Sequence, residues 1–213
     1  RIANYRIDLG PYESECTITP APGNTQTSVV LSAGENYVFN ACSLLAIIQP
    51  TGDETLVNSL FTARSWENPD VVDFGNSRFV RRYFELKPQA QGTATAVVTL
   101  FFTAADFEAY NNSFTNGIQK PLPVQPGDDV SYLFISQFSG NIDANGLPEQ
   151  GAGNMTQVSP SAVIWNTGLK LWQVTFPVSG FSGFYITTGE TALPVTLTRF
   201  EAGMLETGVE LKW

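Results

Sequence analysis

Apolar and polar residues alternate along much of the chain, at the two-residue spacing of a half-buried β-strand. The clearest case is residues 163–189, in which a two-residue turn at 167–168 is predicted to join two strands. With that turn, Trp165, Trp172 and Phe176 share one face. Because other strands must cover this aromatic face, the pattern predicts two packed layers of antiparallel sheet.

Further strands are predicted between glycine- and proline-rich turns. Residues 79–86 alternate between two faces, whereas residues 97–102 are apolar on both, which predicts a central strand. Two segments lack this periodicity and are predicted to be loops, the acidic residues 67–76 and the polar residues 139–159. The other predicted strands are residues 4–9, 16–19, 28–31, 37–42, 44–48 and 130–138, followed by a C-terminal pair of which one strand begins at Val195 and the other covers residues 209–213.

The pattern predicts one helix, at residues 104–111. Thr103 can cap its first turn, and Asp106 at the third helical position favours the exposed amides and the helix dipole. Phe107 and Tyr110, three positions apart, would pack the helix against a sheet. The expected fold is therefore all-β, an antiparallel sandwich of the Ig-like or jelly-roll-like kind with one short helix and a C-terminal strand pair.

The composition agrees with a β-rich fold, and the net charge disfavours two classes of binding partner. Of the 213 residues, 15% are charged, and 18 Gly and 13 Pro imply many turns. The formal net charge of -9 disfavours binding to nucleic acid or to an anionic membrane surface. There is no leader segment and no apolar stretch near the ~20 residues that span a bilayer, so we expect no membrane insertion and a signal peptide already removed.

The charged side chains are interpreted as surface groups. Arg81 and Arg82 point to opposite faces of their predicted strand, and we expect both to pair with loop acids, which adds less than about 1 kcal/mol to stability. Paired carboxylates can hydrolyse glycosides, but the candidates lie in loops without a supporting pattern. These candidate acids are Asp70, Asp73, Asp128 and Asp129.

The sequence contains no histidine. This excludes Ser-His-Asp and Cys-His nucleophilic sites, and it removes the commonest zinc ligand and general base. Together with the unpaired acids, the absence of histidine predicts that the protein is not an enzyme.

Cys16 and Cys42 are the two cysteines of the chain. In a secreted protein they are expected to form one disulfide that closes the first hairpins. The alternative is a pair of buried free thiols.

Residues 141–146 partly match a calcium-binding loop, with Asn141, Asp143 and Asn145 in ligand positions. The match is incomplete, because position 12 is Ala152 where a bidentate Glu belongs. An ordinary Asn- and Gly-rich turn explains the same residues, and no other cofactor is expected.

Exposed aromatic rings could stack on the apolar faces of sugars. Trp165 and Trp172 share their face with Val174 and Phe176, so they are predicted to be core residues. Trp66, beside the acidic segment, is left as the candidate for sugar stacking.

Four stretches resemble a module common in large extracellular proteins of the Bacteroidetes. These are FVRRYFELKP (79–88), TATAVVTLFFTAADFEAYN (93–111), VIWNTGLKLWQVTFPVSGFSGFY (163–185) and LPVTLTRFEA (193–202). The last is similar to the start of a fibronectin- or immunoglobulin-like domain that leads to a type IX secretion signal. The resemblance implies an outer-surface location and a structural or adhesive role, and it carries no catalytic residues.

The resemblance and the strand pattern divide the chain. Residues 1–190 are expected to form the sandwich module, with 1–75 as a candidate N-terminal subdomain. Residues 191–213 supply about two strands of a sandwich that needs roughly seven. The segment is expected to pack on the main domain, to pair with another chain, or to be a truncated Ig- or fibronectin-like strand pair. We hypothesise that it pairs with a neighbouring subunit or module by strand addition.

The expected function is a non-enzymatic structural or adhesive protein of the outer cell surface. Its expected partners are other copies of itself or neighbouring surface modules, assembled into a filament by strand exchange. The alternative is a carbohydrate-binding accessory domain of a secreted enzyme, with glycans as its partner.

Overall fold

The structure is a computed structural model that describes residues 2–3, 6–7, 16–20, 23–52, 56–75, 77–89, 94–114, 120–189, 201–205 and 208–212. Side chains are described for residues 18, 19 and 23–189 within those ranges, apart from residues 150 and 152. Two large sheets dominate this part of the chain, and their strand pairs are antiparallel with one exception. The predicted all-β sandwich with one short helix is confirmed.

The strands and the helix follow one another along the described residues. They are β1 (Ile2–Ala3), β2 (Arg6–Ile7), β3 (Cys16–Thr17), β4 (Thr19–Pro20), β5 (Thr25–Val30), β6 (Asn36–Asn40), β7 (Ser43–Thr51), β8 (Leu60–Glu67), β9 (Val72–Phe74), β10 (Ser77–Phe79), β11 (Arg82–Pro88), β12 (Thr95–Phe102), α1 (Ala104–Asn112), β13 (Leu133–Ile142), β14 (Pro148–Val158), β15 (Ala162–Asn166), β16 (Leu171–Ser179), β17 (Gly183–Thr188), β18 (Glu201–Leu205) and β19 (Gly208–Lys212).

The first large sheet, sheet I, contains β14, β13, β17, β11, β8 and β5 in that spatial order. All of its strand pairs are antiparallel. β11 lies near its middle, where Phe84 pairs with Phe184 of β17 on one side and with Ser65 of β8 on the other. β14 and β5 are therefore the two edges of sheet I within the described residues.

The second large sheet, sheet II, contains β15, β16, β12 and β7 in that order. β6 pairs with β7 through a register shift between Val38 and Phe39, and β4 runs parallel to the start of β7. β12 pairs with β16 on one side and with β7 on the other. The prediction that residues 97–102 form a central strand is therefore confirmed.

The main apolar core lies between sheets I and II. Trp172, Val174 and Phe176 of β16 are buried in it and Trp165 packs against it, as predicted. Phe176 meets Phe184 of sheet I with the ring centroids 5.4 Å apart. Burying a large apolar side chain contributes about 1.5–3 kcal/mol, so this interface between the sheets stabilises the fold most.

The turn between β15 and β16 has four residues, 167–170, so the predicted two-residue turn at 167–168 is wrong. Asn166 accepts hydrogen bonds from two amides of this longer turn, at 3.0 and 2.9 Å. Trp165 consequently pairs with Trp172, two residues away from the predicted partner. Because strand side chains alternate with a period of two, a shift by two leaves them on the predicted face.

Residues 139–159, predicted to be a long loop, belong instead to the hairpin of β13 and β14. The two strands pair regularly over residues 135–140 and 153–158. The prediction was wrong because an edge strand is held by main-chain hydrogen bonds and does not need an apolar side chain at every second position. Gly153 suits the close contact of the strands, since a Cβ built there would lie 2.1 Å from the carbonyl oxygen of Ser139.

The acidic segment 67–76, also predicted to be a loop, contains β9, which pairs with β10. The prediction is wrong for these residues because Val72 is buried and Phe74 half-buried against the outer face of sheet I. This short hairpin covers a second apolar cluster on that face. The cluster consists of Trp66, Val72, Phe79, Tyr83, Phe138 and Tyr185.

Helix α1 lies where the sequence predicts it and begins with a capping box. The Thr103 hydroxyl accepts a hydrogen bond from the Asp106 amide at 3.1 Å, and the Asp106 carboxylate accepts one from the Thr103 amide at 2.8 Å. Phe107 and Tyr110 are fully buried, so their predicted role in packing the helix is confirmed. No helix in the described part of the chain is long and apolar enough to cross a membrane.

Cys42 is disulfide-bonded. Cys16 is the other cysteine of the sequence, and because its side chain lies outside the described residues, the Cys16–Cys42 pairing stays a prediction. β18 and β19 pair with each other and form the predicted C-terminal strand pair. The strand predicted to begin near Val195 lies outside the described residues.

Candidate functional site

Two adjacent arginines and two carboxylates form a partly buried charged network. Arg82 Nε lies 2.9 Å from Asp106 Oδ2, and Arg81 Nε lies 3.0 Å from Oδ1 of the same carboxylate. The Glu67 carboxylate contacts Arg81 at 3.1 Å and Arg82 at 2.7 Å. The network therefore joins the end of β8, the start of β11 and the first turn of α1.

The expectation that Arg81 and Arg82 pair with loop acids at the surface is wrong. β10 ends at Phe79 and β11 begins at Arg82, so the alternation of faces is interrupted and both arginines reach one carboxylate. Arg82 is 3% exposed and Asp106 is fully buried. The available signal was an arginine on an otherwise apolar strand face, which requires a buried partner.

The Asp106 carboxyl is ionised at neutral pH in spite of its burial. Burial alone would raise its pKa, but the charge and hydrogen bond of Arg82, with the hydrogen bonds from Thr103, leave that pKa below its ordinary value. The formal charges of the two guanidinium groups and the two carboxylates cancel. Such a fully paired network fixes the helix on the sheet and leaves no free acid or base for chemistry.

Four aromatic residues form an aromatic stack on the outer face of sheet I: Trp66, Tyr83, Tyr185 and Phe79. Trp66 and Tyr83 are stacked with centroids 5.8 Å apart and ring planes 14° apart. Tyr83 continues onto Tyr185 at 5.4 Å, and Tyr185 meets Phe79 at 5.3 Å. The stack follows from β8, β11 and β17 being neighbours in the sheet, which sets these side chains side by side.

The turn between β13 and β14, residues 143–147, covers the aromatic stack. The Tyr83 hydroxyl donates a hydrogen bond to the carbonyl oxygen of Asn145 at 2.6 Å, and the Tyr185 hydroxyl donates one to that of Gly146 at 2.7 Å. Burial is the main cause that raises the pKa of Tyr83 to about 12, and it also raises the pKa of Tyr185 well above its ordinary value. Both hydroxyls are therefore protonated donors at neutral pH.

Gly146 fits this turn for two reasons. Its φ of +79° is a conformation that favours glycine, and a Cβ built on it would lie 2.4 Å from Cδ2 of Trp66. The main chain of the turn therefore lies directly against the indole ring.

The three calcium-candidate residues take different places around this turn. Asn141 is exposed on β13, and Asn145 is exposed at the tip. Asp143 Oδ1 accepts hydrogen bonds from the amides of Asn145 and Leu147, both at 2.8 Å, which is the geometry of a polar turn. Within the described residues, no cluster of three or more His, Cys, Asp or Glu could hold a metal ion. Calcium binding stays a prediction.

Trp66, the sugar-stacking candidate, is 7% exposed and packs as a core residue. Its remaining surface borders a depression of about 240 Å³ that also includes Gln26, Arg64 and Asn145. A sugar could reach the face of the indole ring only if the turn at residues 143–147 moved. Sugar stacking stays a prediction.

Asp70 is exposed, and the other three candidate acids make local contacts. Asp73 is bound by Arg78 through two hydrogen bonds, at 2.7 and 2.9 Å. Asp128 accepts bonds from two backbone amides, and Asp129 accepts one from the Ser131 amide. These hydrogen bonds hold the pKa values of all three carboxyls below their ordinary value. None of the three is therefore prepared to act as a general acid near neutral pH.

Two further depressions lie on the described surface. One of about 590 Å³ opens between sheets I and II, and its lining carries no charge: Thr51, Thr95, Ala96, Gln137, Ser139, Thr156, Val158, Pro177, Val178 and Ser179. The other, of about 380 Å³, has one acid, Glu85, which contacts Arg64 at 3.4 Å. Neither lining provides the pair of acids that glycoside hydrolysis needs.

Comparisons with family models, with curated proteins and with solved structures give no match to this chain. The interpretation of its function therefore starts from its own residues and geometry.

Proposed function

We propose that the protein is a structural or adhesive module of the outer cell surface. The observation that carries this proposal is the use of its polar interior: each buried polar group with a described partner holds two elements together. Arg82 and Asp106 fix α1 on sheet I, and the hydroxyls of Tyr83 and Tyr185 fix the turn at residues 143–147. This is how a rigid scaffold uses such groups, whereas an active site directs them into a cleft.

The disulfide at Cys42 supports an extracellular location. Disulfides persist in oxidising compartments and are rare in the cytosol. The net charge of -9 fits the same proposal, because it keeps a surface-exposed domain soluble.

Assembly by strand exchange is the second part of the proposal. In the described part of residues 191–213, β18 and β19 pair with each other as a two-stranded sheet, which is marginal in water by itself. Addition of this segment to a sheet of a neighbouring subunit or module would satisfy its free edges.

Two measurements test the proposal. Protease applied to intact cells of the source organism should digest the protein, whereas protection until the cells are lysed contradicts the surface location. Electron microscopy should show filaments that shorten in Leu211→Asp, which puts a charge at an apolar position of β19. The matched control is Glu210→Gln at the neighbouring charged position, which should leave the filaments unchanged.

The alternative, a carbohydrate-binding accessory domain, is favoured by one observation. The depression beside Trp66 presents an amide group of Gln26 and the guanidinium of Arg64, groups that can hydrogen-bond to sugar hydroxyls. If this alternative holds, a glycan array should give binding that Gln26→Ala and Trp66→Ala abolish and that Trp165→Ala, in sheet II, retains. A blank array removes the alternative.

A further inference from the structure

We propose that the outer edge of β14 is a docking edge for the same edge of a second copy of this chain. The inference deepens the proposed function, on which it rests, by naming the partner and the surface that joins the two copies. Pairing through β14 would extend sheet I from one subunit into the next.

The geometry begins with the position of β14 at the end of sheet I. β14 has 11 residues and pairs with β13 along one side. No strand of the described residues pairs with its other side. Alternate N–H and C=O groups of an edge strand point outward, and the regular part of β14, residues 153–158, presents them over roughly 20 Å.

Part of this edge lacks the features that usually prevent pairing. Edge strands are commonly protected by charges, proline, bulges or a covering segment. β14 begins with Pro148 and Glu149 and its ladder with β13 is irregular there, whereas residues 150–158 contain no charged residue and no proline. The ladder with β13 is regular over 153–158, so that part of the edge is straight enough to accept another strand.

The opposite edge of sheet I is different. β5 has six residues, and the Gln26 carbonyl accepts a hydrogen bond from the Asn40 side chain at 2.7 Å. β6, which carries a register shift, packs beside it. The edge at β5 is therefore partly covered, and β14 is the more open of the two.

The net charge of the chain and the uncharged residues 150–158 of β14 favour a second copy of this chain as the partner at that edge. Copies that each carry a net charge of -9 repel one another, so contact between them is least unfavourable where both surfaces are uncharged. In a two-fold antiparallel pair formed by residues 150–158 of β14, each residue faces an uncharged residue of the other copy. A strongly basic or acidic partner would find no counter-charge in residues 150–169.

β15 adds apolar surface on the same side of the sandwich. Residues 159–161 lead directly from β14 to β15, and Ile164 of β15 is 55% exposed. A second copy placed along β14 could cover this side chain, which adds a hydrophobic contribution to the main-chain hydrogen bonds.

The test is sedimentation equilibrium of the full chain, wild type against Asn154→Lys/Gln157→Lys. Both positions are exposed on β14, and a two-fold pair would bring four added lysines to one shared edge. We expect a concentration-dependent wild-type dimer and at least tenfold weaker association of the variant. The matched control is Ser28→Lys/Val30→Lys on β5, which adds the same charge and should dimerise like the wild type.

Three outcomes overturn the inference: a wild type that stays monomeric at 200 µM, a β14 variant that associates like the wild type, or a β5 control that loses association as strongly. Circular dichroism and the melting temperature of both variants show whether they remain folded. If the wild type stays monomeric while filaments still form on cells, the inference fails and the proposed function stands. If the protein is protected from protease on intact cells, the proposed function fails whatever the dimer does.

Discussion

Arg82 and Asp106 lie 24 positions apart in the chain, and their side chains meet in the interior with Nε and Oδ2 separated by 2.9 Å. This contact attaches the one helix of the described residues to the start of β11. A charged pair with so little exposure depends on both members, because either charge alone would be buried without compensation.

Asp106→Asn should therefore destabilise the protein by about 3–5 kcal/mol at pH 7. The substitution keeps the size of the side chain and its capping oxygen but removes the carboxylate charge that faces Arg82 and Arg81 in the interior. Urea denaturation followed by circular dichroism measures the change. Asp73→Asn breaks an exposed ion pair and should cost less than about 1 kcal/mol; an equal loss for the two variants would contradict the argument.

The stability should fall in acid. Because the pKa of Asp106 is lower in the folded protein than its ordinary value of 3.8, its contribution is present above about pH 4 and is lost as the pH falls through the folded pKa. Denaturation curves between pH 7 and pH 2 should show the wild type approaching the stability of Asp106→Asn at low pH. A constant difference across that range would show that folding does not lower the pKa of Asp106.

The free energy of unfolding should also fall in alkali, because the pKa of Tyr83 is raised on folding, whereas that of Asp106 is lowered. The pKa of Tyr83 is raised from 10.0 to about 12, so its contribution is present below pH 10 and is lost as the pH rises toward 12. Tyr83→Phe should be less stable at pH 7, because the carbonyl of Asn145 loses its donor, and should lose less between pH 10 and 12. Tyr132→Phe, at a half-buried position, is the control and should follow the wild type.

Gly146→Ala should destabilise the protein by more than about 2 kcal/mol, since the new methyl group meets Trp66 and the residue has a positive φ. Gly127→Ala isolates the second effect, because Gly127 also has a positive φ but nothing within 4 Å of the built Cβ. Thermal unfolding should place the control nearer the wild type, and Trp66 fluorescence should change only in Gly146→Ala. Equal melting temperatures would show that the turn moves away from the indole.

Peptide mapping without reduction should recover Cys16 and Cys42 in one linked species. Closing that loop would contribute about 3.5 kcal/mol in the chain-entropy model. Recovery of either cysteine as a free thiol, or of a link between two chains, would contradict the pairing.

The parts of the fold that depend on side-chain burial could be predicted from the sequence. Trp172 and Phe176 were assigned to the core correctly even though the turn before them was predicted too short, because a two-residue shift preserves the face. β14 could not be predicted, because its Gly- and Asn-rich residues are ordered by main-chain bonds to β13 and bury little.

The candidate site was harder to predict because it depends on contacts between distant segments. Asp106 looked like a helix cap, which it is, but its bonds to Arg81 and Arg82 require the helix to lie against the start of β11. In the sequence, Asn145 is a candidate calcium ligand and Trp66 is a separate candidate for sugar stacking. The structure brings them to one place, with the turn covering the aromatic stack.

The hydroxyls of Tyr83 and Tyr185 donate hydrogen bonds to main-chain carbonyl oxygens of the turn at residues 143–147. Because every amino acid has such an oxygen, these hydrogen bonds do not depend on the side chains at the tip. Ala144 and Asn145, both exposed, can therefore be substituted without loss of these two hydrogen bonds. Substitutions at these two positions, natural or engineered, would change the outer surface of the protein while its fold stayed the same.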